Sequence, residues 1–566
     1  MTVTDTTNVP APTLIPVPPD FAVSWEPPDD ARLFWTMDRV HCPEPLTPLS
    51  HDFVRFVYQD GISGAAQALE FPIRCRTRDV NTYFYMTLFP VTPPEEMEAQ
   101  GRRAEDKLRA AMARLSDLWQ DEWLPEIKEH VAFWERFDLR AASTAELLVH
   151  LDESIARTKR LWELHFHIVF PSFTAQSLFE ELYHELFPAD SALAAYRLTQ
   201  GIDNTTLRAN RALWELTRRA LASPWVRQVL YACSVGEVET ELRRSPEGQA
   251  FLAELRAYRD EYGQRTDQVF ELSARRWIED PIPVISTLKD YLTQPDRDLA
   301  AELAELAAER ERLVSEVRER LRSYPQAVVG KFDFFLKAAQ EATVVREEHN
   351  FWIDFRSTYL FRQVVLEFGR RLAAAGAVDQ PDDVFYLTLE ELRATVTELP
   401  HGDRRRIVAE RRAKLDRFRA ITPPPALGTV PPGPPPDDPV GRAIGKVLGV
   451  PPPPMSEPSV LRGVPASHGR VRATARVIRT LDEADRLRAG DVLVAESTLP
   501  PWTPLFATAA AVVTDTGGVL SHAAIVAREY RIPAVVGTGF ATALLRDGQT
   551  IEVDGDAGVV RILPSV

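Results

Sequence analysis

The most informative segment of the C-terminal part is Thr514–Glu529, with the sequence TDTGGVLSHAAIVARE. It follows an apolar run that predicts a buried strand, and it continues through a turn with two glycines, Gly517 and Gly518, into a helical pattern. Glycine tolerates positive φ and lets another backbone approach closely. Because Ser521 is a favoured N-cap, the helix is expected to begin at Ser521 and His522. The sequence therefore predicts a strand, a tight turn and a helix whose first turn contains a histidine.

The position of His522 suits a covalent role for its imidazole. Backbone N–H groups in the first turn of a helix lack partners within the helix, and the helix dipole is positive there, so a phosphoryl group on the ring would be stabilised. A nucleophilic histidine also needs one neutral, exposed ring nitrogen and a hydrogen bond that fixes the other nitrogen. Thr516 is the candidate for that hydrogen bond. The alternative interpretation is that His522 merely occupies a helix terminus.

Strand-like runs alternate with short helical patterns throughout the C-terminal part of the chain. This alternation predicts a compact α/β domain over residues 459–566. The predicted strands are Val471–Ile478, Asp491–Ala495, Ala511–Thr514, Ala534–Gly537, Thr550–Val553 and Val559–Leu563.

Five segments of this region together form the pattern of a known domain: Thr516–Glu529, Ile532–Gly537, Asp547–Val560, Leu499–Phe506 and Gly463–Gly469. Residues 459–566 thereby resemble the mobile phosphohistidine domain of phosphoenolpyruvate-utilising enzymes. The chain departs from that family at His468, where the family usually has proline. The resemblance implies a swivelling domain in which His522 accepts a phosphoryl group and delivers it elsewhere. The residues expected to support the phosphohistidine are Thr516, Gly517, Gly518 and Ser521.

Residues 21–420 are expected to form a large, mainly α-helical domain with a small mixed part at its start. Phe53–Tyr58 is predicted to be β-prone or irregular. Ser143–Glu146 predicts a capping box that opens a long helix to about Phe170. Asp383–Leu387 predicts a short strand. The fold class is therefore multidomain α+β: a large, mainly α-helical domain, which the resemblance implies is acceptor-binding, followed by the small α/β domain.

Proline marks the parts of the chain that are expected to be extended. Of the 45 prolines, ten lie in residues 1–50 and thirteen in residues 421–455. Residues 1–20 are expected to be a disordered arm. Residues 421–458 are expected to be a proline-rich swivel linker, with a short helical interruption in Val440–Val450. Polyproline II rises about 3.1 Å per residue, so this linker has the reach of a swivel, while an inert spacer is the alternative.

Charge and cysteine usage exclude several classes of function. The chain has 82 acidic and 66 basic side chains and a net charge of −16, which argues against a nucleic-acid partner. The three cysteines are widely spaced, which argues against a disulfide framework and a structural zinc site. No signal peptide is recognisable, and no apolar run reaches the roughly 20 residues that a membrane span requires. The sequence predicts a cytoplasmic protein without a membrane partner.

The helical region has a looser set of matching pieces: Phe21–Trp25 with Trp35 and His41, Arg346–Asn350, and Asp383–Thr388. On these it resembles the middle domain of rifampicin phosphotransferases and the matching subunit of phenylphosphate synthase. The family places acceptor-binding polar residues at Arg346, Glu347, His349 and Asn350. Asn350 departs from the lysine that the family usually has there.

Transfer of a phosphoryl group to a hydroxyl needs a base for the proton and a cation for the phosphoryl charge. Arg346 is the candidate cation, and Glu347 or His349 is the candidate base. A solvated helix face with ion pairs is the alternative interpretation. No metal site is predicted, because His165 and His167 are two residues apart and face different directions on a helix. The further candidate substrate-binding residues are Asn350, Trp352, Arg362, His165 and His167.

Such enzymes normally contain an ATP-grasp domain, and no segment of this chain resembles one. The resemblance therefore implies a two-subunit complex in which a separate ATP-grasp subunit binds ATP and phosphorylates His522, with ATP converted to AMP and phosphate. Mg²⁺ would shield the phosphates. We expect the acceptor to be a small aromatic hydroxyl compound, a phenol or a hydroxyaryl ketone, activated for aromatic catabolism. The alternatives are a rifampicin-like antibiotic phosphotransferase and a non-catalytic phosphocarrier or regulator.

Overall fold

A computed structural model describes residues 13–294, 297–431, 437–449, 457 and 459–564. Within these residues the chain has a large helical part followed by a C-terminal part built on a β-sheet. The predicted multidomain α+β class is therefore confirmed. In the described part of the chain, no helix is long and apolar enough to cross a membrane.

The α-helices of the described residues are α1 (Pro48–Val54), α2 (Ser63–Ala68), α3 (Met97–Met112), α4 (Leu115–Leu118), α5 (Leu124–Glu135), α6 (Thr144–Leu186), α7 (Thr205–Ala222), α8 (Pro224–Ala232), α9 (Val238–Leu242), α10 (Pro246–Tyr262), α11 (Ile282–Leu292), α12 (Leu299–Arg320), α13 (Gln326–His349), α14 (Thr358–Ala374), α15 (Leu389–Glu398), α16 (Arg405–Arg419), α17 (Pro439–Leu448), α18 (Thr503–Thr508), α19 (His522–Glu529) and α20 (Ala541–Leu544). Wider π-helical turns occupy Arg55–Ile62, Trp119–Trp123 and Asn350–Ser357. Short 3₁₀ turns occupy Pro28–Arg32, Ala195–Leu198, Val235–Glu237, Leu321–Ser323, Pro381–Tyr386, Leu481–Arg486 and Pro500–Trp502.

The strands are β1 (Thr13–Leu14), β2 (Phe34–Met37), β3 (Ile73–Val80), β4 (Tyr83–Pro90), β5 (Ala426–Val430), β6 (Val460–Arg462), β7 (Val464–Ser467), β8 (Arg470–Val477), β9 (Val492–Ala495), β10 (Ala511–Thr514), β11 (Ala534–Val536), β12 (Thr550–Asp554) and β13 (Val559–Ile562). Among the described residues, the first five of these strands form an antiparallel sheet beside the helices, in the order β1-β5-β2-β4-β3. A second sheet, in the order β6-β13-β12-β8-β9-β10-β11-β7, forms the C-terminal part.

The C-terminal sheet places His522 at the end of a buried strand. Strands β8, β9, β10 and β11 are parallel neighbours, and every residue of β9 and β10 is buried, as expected of parallel strands covered on both faces. The chain leaves the carboxyl end of β10, makes the two-glycine turn and enters α19. The six predicted strands of this region are present, with ends within one residue of those predicted.

The helical part is organised around α6, which packs against α13 along much of its length. The predicted capping box is present: the Ser143 side chain accepts from the backbone N–H of Glu146, and the Glu146 carboxylate accepts from the backbone N–H of Ser143. The helix continues past the predicted end at Phe170, through Pro171, to Leu186. Its length brings residues of α6 to both the His522 site and the linker.

Two local predictions in the helical part are wrong. Asp383–Leu387 is not a strand: Pro381–Tyr386 is a 3₁₀ turn, because the Asp383 carboxylate accepts from the backbone N–H groups of Asp379 and Gln380 and closes the turn. Phe53–Tyr58 is helical, since its aromatic side chains pack into the core on one side of α1 and the π-helical turn that follows. Aromatic residues favour strands weakly, and tertiary packing overrides that preference here.

The proline-rich segments differ from the prediction in their described parts. Ala426–Val430 is not linker but the strand β5, which pairs with β2 and, at its other edge, with Thr13–Leu14 of the predicted disordered arm. Gly428 makes this possible, because its φ is +78° and an added Cβ would lie 2.0 Å from the carbonyl oxygen of Leu33. The helical interruption is present as α17. Residues 1–12, 432–436, 450–456 and 458 of the predicted arm and linker lie outside the described residues.

Candidate functional site

His522 is the first residue of α19, as the sequence predicts. Ser521 is the N-cap, and its Oγ accepts from the backbone N–H of Ala524 at 3.4 Å. The imidazole Nε2 lies 3.2 Å from Oγ1 of Thr503, and the ring of Phe506 meets the imidazole edge to face. Thr516, the predicted partner of the ring, instead donates its hydroxyl to the carbonyl oxygen of Glu496 at 2.9 Å. The ring is therefore oriented by α18 and not by the turn.

The two-glycine turn is attached to the linker helix α17. Gly517 and Gly518 donate their N–H groups to the carbonyl oxygens of Leu448 and Val447, each at 3.1 Å, and Leu520 donates to a third carbonyl of this helix, that of Lys446, at 2.8 Å. The unpaired carbonyls at the carboxyl end of α17 are thus satisfied by the unpaired N–H groups of the turn. The turn that holds His522 and the linker helix consequently form one hydrogen-bonded unit.

The linker helix is in turn bound to α6 by ion pairs. Arg442 pairs with Glu181 at 3.1 Å, and Lys446 pairs with both Glu181, at 3.0 Å, and Glu180. Half-buried pairs that share charges in this way hold two elements together more firmly than an isolated surface pair. The helix α17 therefore connects α6 to the turn before His522.

Replacing Gly518 by alanine should weaken the contact between the two-glycine turn and α17. A Cβ at Gly518 would lie 2.4 Å from the carbonyl oxygen of Lys446, so the turn or α17 must move. We expect a loss of about 1–3 kcal/mol in the free energy of unfolding, as for overpacking elsewhere, and faster proteolysis around α17. Denaturant titration and limited proteolysis measure the two effects.

Gly330→Ala is the matched control for Gly518→Ala. Gly330 lies inside α13, and an added Cβ there would meet nothing within 4 Å. Alanine favours helices over glycine, so this variant should be neutral or slightly more stable. If the two variants unfold and are cleaved alike, the turn is not held by α17 in the way described.

Arg346 reaches from α13 to the N-terminal end of the His522 helix. Its Nη1 donates to Oε1 of Gln176 at 2.9 Å and to the carbonyl oxygen of Leu520 at 3.4 Å. The guanidinium lies over the ring of Phe173, with 5.0 Å between its central carbon and the ring centroid. Arg346 is buried, and burial lowers its pKa. The structure thus places the predicted cation beside His522.

Arg265 is a second buried cation at this site, and the sequence analysis did not identify it. Its side chain is almost fully buried, and its Nε has no hydrogen-bond partner within the described residues. Among those same residues, neither Arg265 nor Arg346 forms an ion pair with a carboxylate. The Glu347 carboxylate acts on both guanidiniums at longer range but contacts neither. Because a buried charge without a contacting counter-ion is costly, two of them at one place indicate a site for an anion.

The environment of His522 keeps its imidazole neutral. Burial, followed by the positive charges of Arg346 and Arg265, lowers the pKa of His522 to about 3. A neutral imidazole retains a lone pair for nucleophilic attack across the physiological pH range. Once a phosphoryl group is attached, the same two guanidiniums would attract it, so they disfavour the protonated ring and favour the phosphorylated one.

A cavity lies beside Arg346, between the two parts of the chain. Its volume is about 50 Å³, enough for a few water molecules or a phosphoryl group. The helical part contributes polar and aromatic side chains to its wall, and the C-terminal part contributes residues of α18, α19 and the turns beside them. The lining includes Gln176, Phe179, Tyr196, Thr206, Arg346, Glu347, Thr503, Leu520, Arg528 and Tyr530.

The two candidate bases, Glu347 and His349, lie in different surroundings. Glu347 lines the cavity and accepts a hydrogen bond from the Thr206 hydroxyl at 2.8 Å. His349 is 1% exposed, and burial lowers its pKa to about 3. Its ring faces His165, with 4.8 Å between the ring centroids. Asn350 is partly exposed and begins the π-helical turn after α13.

Three predicted substrate-binding residues are engaged elsewhere. Trp352 contacts Lys128 and Arg356, and each cation lies over its ring. Arg362 is buried, donates to the carbonyl oxygen of Leu272 at 2.6 Å and pairs with Glu279. His167 faces Trp123, away from the partners of His165. Trp352 lies in the π-helical turn, Arg362 on α14 and His167 on α6, and none of the three lines the cavity beside Arg346.

His165 is the predicted substrate-binding histidine that does meet His349. Its Nδ1 lies 2.9 Å from Oδ1 of Asp354, a residue of the π-helical turn that the sequence analysis did not identify. Trp162 and Phe166 flank the ring. His165, His349 and Asp354 thus form a polar cluster inside an aromatic shell.

Contacts on either side of His522 hold the C-terminal part against the helices. The backbone N–H of Gly201 donates to the Glu529 carboxylate at 3.0 Å. The Gln294 side chain donates to the carbonyl oxygen of Ala507 at 2.8 Å. His522 therefore faces Arg346 in a docked arrangement of the two parts.

Two family models match this chain. The model described as rifampicin phosphotransferase fourth domain matches residues 165–347, and the model described as PEP-utilising enzyme, mobile domain, matches residues 487–558. The first match includes Arg265, Arg346 and Glu347. The second includes His522 and Thr503.

Similar proteins cover most of the chain, but the chain covers only part of each of them. Chondramide synthase of Chondromyces crocatus is 40% identical over 97% of this chain and 14% of its own length. An uncharacterized phosphotransferase of Bacillus subtilis is 27% identical over 94% of this chain and 62% of its own length. Rifampicin phosphotransferase of Streptomyces sviceus is 31% identical over 64% of this chain and 40% of its own length. The chain is therefore similar to rifampicin phosphotransferases and carries a PEP-utilising mobile domain in its C-terminal part.

Proposed function

We propose that this chain is a phosphotransferase that carries a phosphoryl group on His522 and delivers it to the hydroxyl of a small molecule. The observation that supports this most is the pair of buried guanidiniums, Arg346 and Arg265, whose charges act on a histidine presented by a mobile-domain helix. A doubly charged phosphoryl group at His522 would supply the ion pair that both cations lack among the described residues. The names of the relatives support the same class of reaction.

The transfer step in this proposal uses the groups described above. The acceptor oxygen attacks phosphorus, the P–N bond breaks, and its electron pair returns to the His522 ring. Arg346 and Arg265 hold the charge of the moving phosphoryl oxygens. Glu347, which lines the cavity, takes the proton from the acceptor hydroxyl. Thr503 keeps the ring oriented throughout.

His522 is phosphorylated by an ATP-grasp unit that lies outside these 566 residues, on a separate subunit. That unit converts ATP to AMP and phosphate. ATP and Mg²⁺ belong to that step. The charged groups of this chain that act on His522 are guanidiniums, which do not fit Mg²⁺ because that ion prefers oxygen ligands. Within this chain, the delivery step uses the side chains of Arg346, Arg265 and Glu347.

The acceptor class is a phenol or a hydroxyaryl ketone. Phe179, Tyr196 and Tyr530 give the cavity an aromatic wall, and the small cavity volume favours a compact acceptor. A phenol is more acidic than an alkanol and therefore needs only a weak base such as Glu347. Antibiotic modification is the second candidate, because the chain is similar to a rifampicin phosphotransferase over 64% of its length.

The test uses the full chain phosphorylated at His522 with potassium phosphoramidate, so that no partner is needed. Phospho-protein is mixed with phenol, 4-hydroxyacetophenone, rifampicin or cyclohexanol, and products are followed by phosphorus NMR. Formation of an aryl phosphate, with cyclohexanol unreactive, supports the proposal. Transfer to rifampicin alone would replace the phenolic acceptor by the antibiotic. Loss of phosphate to water with every acceptor would favour a non-catalytic phosphocarrier.

A further inference from the structure

The polar cluster of His165, His349 and Asp354 has the composition of a metal site. One ligand atom from each residue lies within 4.8 Å of the others. Two imidazole nitrogens and one carboxylate oxygen are a common protein ligand set for zinc and related transition metals, whereas Mg²⁺ and Ca²⁺ prefer oxygen ligands. The cluster is formed by α6, α13 and the π-helical turn between α13 and α14.

His349 supplies the strongest sign that the cluster takes a ligand. Its Nδ1 contacts the carbonyl oxygen of Val345 at 3.1 Å, so this nitrogen carries the proton and Nε2 presents a lone pair. That Nε2 is buried and has no hydrogen-bond partner within the described residues. Fixing the tautomer through a backbone carbonyl is the usual way in which a protein prepares a histidine to bind a metal.

The spacing of the other two ligands is already close to that of a metal complex. Two ligand atoms that each lie about 2.0–2.2 Å from one ion are roughly 3 Å apart when they occupy adjacent positions. Nδ1 of His165 and Oδ1 of Asp354 are 2.9 Å apart. At this distance the two atoms share a hydrogen bond, so a bound ion replaces the proton between them. The His349 ring, whose ligand atom lies within 4.8 Å of the other two, moves toward the ion.

The surroundings also resemble those of a metal centre. Trp162 and Phe166 pack against the His165 ring at centroid distances of 4.7 and 4.8 Å, which excludes water from that side. Asp354 lies in a π-helical turn, a distortion that is often found at functional sites because it re-aims side chains. Three protein ligands also leave a coordination position open for an outside oxygen atom.

We propose that His165, His349 and Asp354 bind one divalent transition-metal ion of the zinc type, with an open position for the oxygen of a substrate. The second part rests on the function proposed above. His349 lies three residues after Arg346 on α13, on the same face of the helix. The metal would thus lie one helical turn from Arg346, and its open position would bind an oxygen atom of a substrate that extends beyond the cavity wall.

The test measures metal binding directly, so that it does not depend on any activity. The full chain is stripped with a chelator and titrated with Zn²⁺ by calorimetry, and Co²⁺ is used as a spectroscopic probe of nitrogen ligation. We expect one Zn²⁺ per chain and a higher melting temperature on binding. His165→Ala, His349→Ala and Asp354→Asn should each weaken binding by more than about 100-fold, beyond what loss of an outer-shell contact causes.

His167→Ala is the matched control, because it removes a histidine from the same stretch of α6 that faces Trp123. Its Zn²⁺ affinity should equal that of the unmodified chain. Circular dichroism verifies that each variant is folded. For the folded variants, the Co²⁺ spectrum shows whether nitrogen ligands still bind the metal. Failure of the folded, unmodified chain to bind Zn²⁺ or Co²⁺, or equal binding by Asp354→Asn, would overturn the metal site. A chain that binds Zn²⁺ but transfers no phosphoryl group would refute the proposed function and leave the site standing.

Discussion

His522→Ala is expected to abolish both phosphorylation of the chain and phosphoryl transfer, while the fold is unchanged. The variant has no nucleophile, and loss of a covalent nucleophile lowers turnover by roughly 10³-fold or more. Alanine suits the first turn of α19, and the capping hydrogen bond that Ser521 Oγ accepts from the backbone N–H of Ala524 is retained. The mass of the chain after treatment with phosphoramidate shows phosphorylation, and product analysis with each acceptor shows transfer.

His468→Ala is the control for His522→Ala. His468 is an exposed histidine of the same domain, bound through Nδ1 to Asp556 at 2.6 Å, and it stands where the family usually has proline. Its removal should leave both phosphorylation and transfer intact. A phosphorylated His522→Ala chain, or one that still forms product, would show that His522 is not the carrier.

The C-terminal site was largely predictable because its determinants are local in sequence. Ser521, Gly517 and Gly518 fix the cap and the turn through contacts with near neighbours, and the strand–turn–helix order follows from the pattern. Gly517 indeed has φ of +97°. The partner of the imidazole was not predictable, because Thr503 is brought to the ring by the packing of α18 on α19 and not by its place in the motif.

The helical side of the site was harder to predict because its residues come from distant elements. Arg346 stood out through a short polar motif, but Arg265 lies in an irregular segment after α10 and belongs to no pattern. Asp354 was missed for a related reason: a π-helical turn shifts the spacing of side chains, so a period of 3.6 residues assigns them to the wrong face. A search for buried arginines that form no ion pair needs coordinates.

The linker illustrates a limit of composition as evidence. Proline content marked residues 421–458 as a swivel linker, yet Ala426–Val430 is a sheet strand paired with β2. The helix α17 is likewise bound to Glu180, Glu181 and the two-glycine turn. Hydrogen bonds between chain segments far apart in sequence leave no trace in composition. A swivel that uses this linker must release the turn from α17 or carry α17 with it.

Arg346→Ala is expected to impair transfer of the phosphoryl group from His522 to the acceptor and to leave phosphorylation of His522 unchanged. The guanidinium faces His522 only in the docked arrangement, so phosphorylation of the free histidine by phosphoramidate should proceed as in the unmodified chain. Transfer to the acceptor should fall by roughly 10²–10³-fold, the usual cost of removing one group that stabilises transition-state charge. Arg346→Lys keeps the positive charge but loses the two parallel N–H donors of the guanidinium. Its transfer rate should therefore lie between those of the unmodified chain and of Arg346→Ala. Single-turnover assays with pre-phosphorylated chain measure the transfer rate.

Arg265→Ala should have a smaller effect in the same direction, because Arg346 is the larger of the two charge effects on His522. Lys337→Ala is the control on α13: Lys337 is exposed and paired with Glu341 at 2.8 Å, and its loss should leave both rates unchanged. If Arg346→Ala loses phosphorylation and transfer together, the arginine supports the histidine or the fold and does not act on the phosphoryl group. If it retains full transfer, the anion site is not the place where the phosphoryl group is delivered. The pattern that supports delivery at this interface is therefore normal phosphorylation, impaired transfer and partial recovery with lysine.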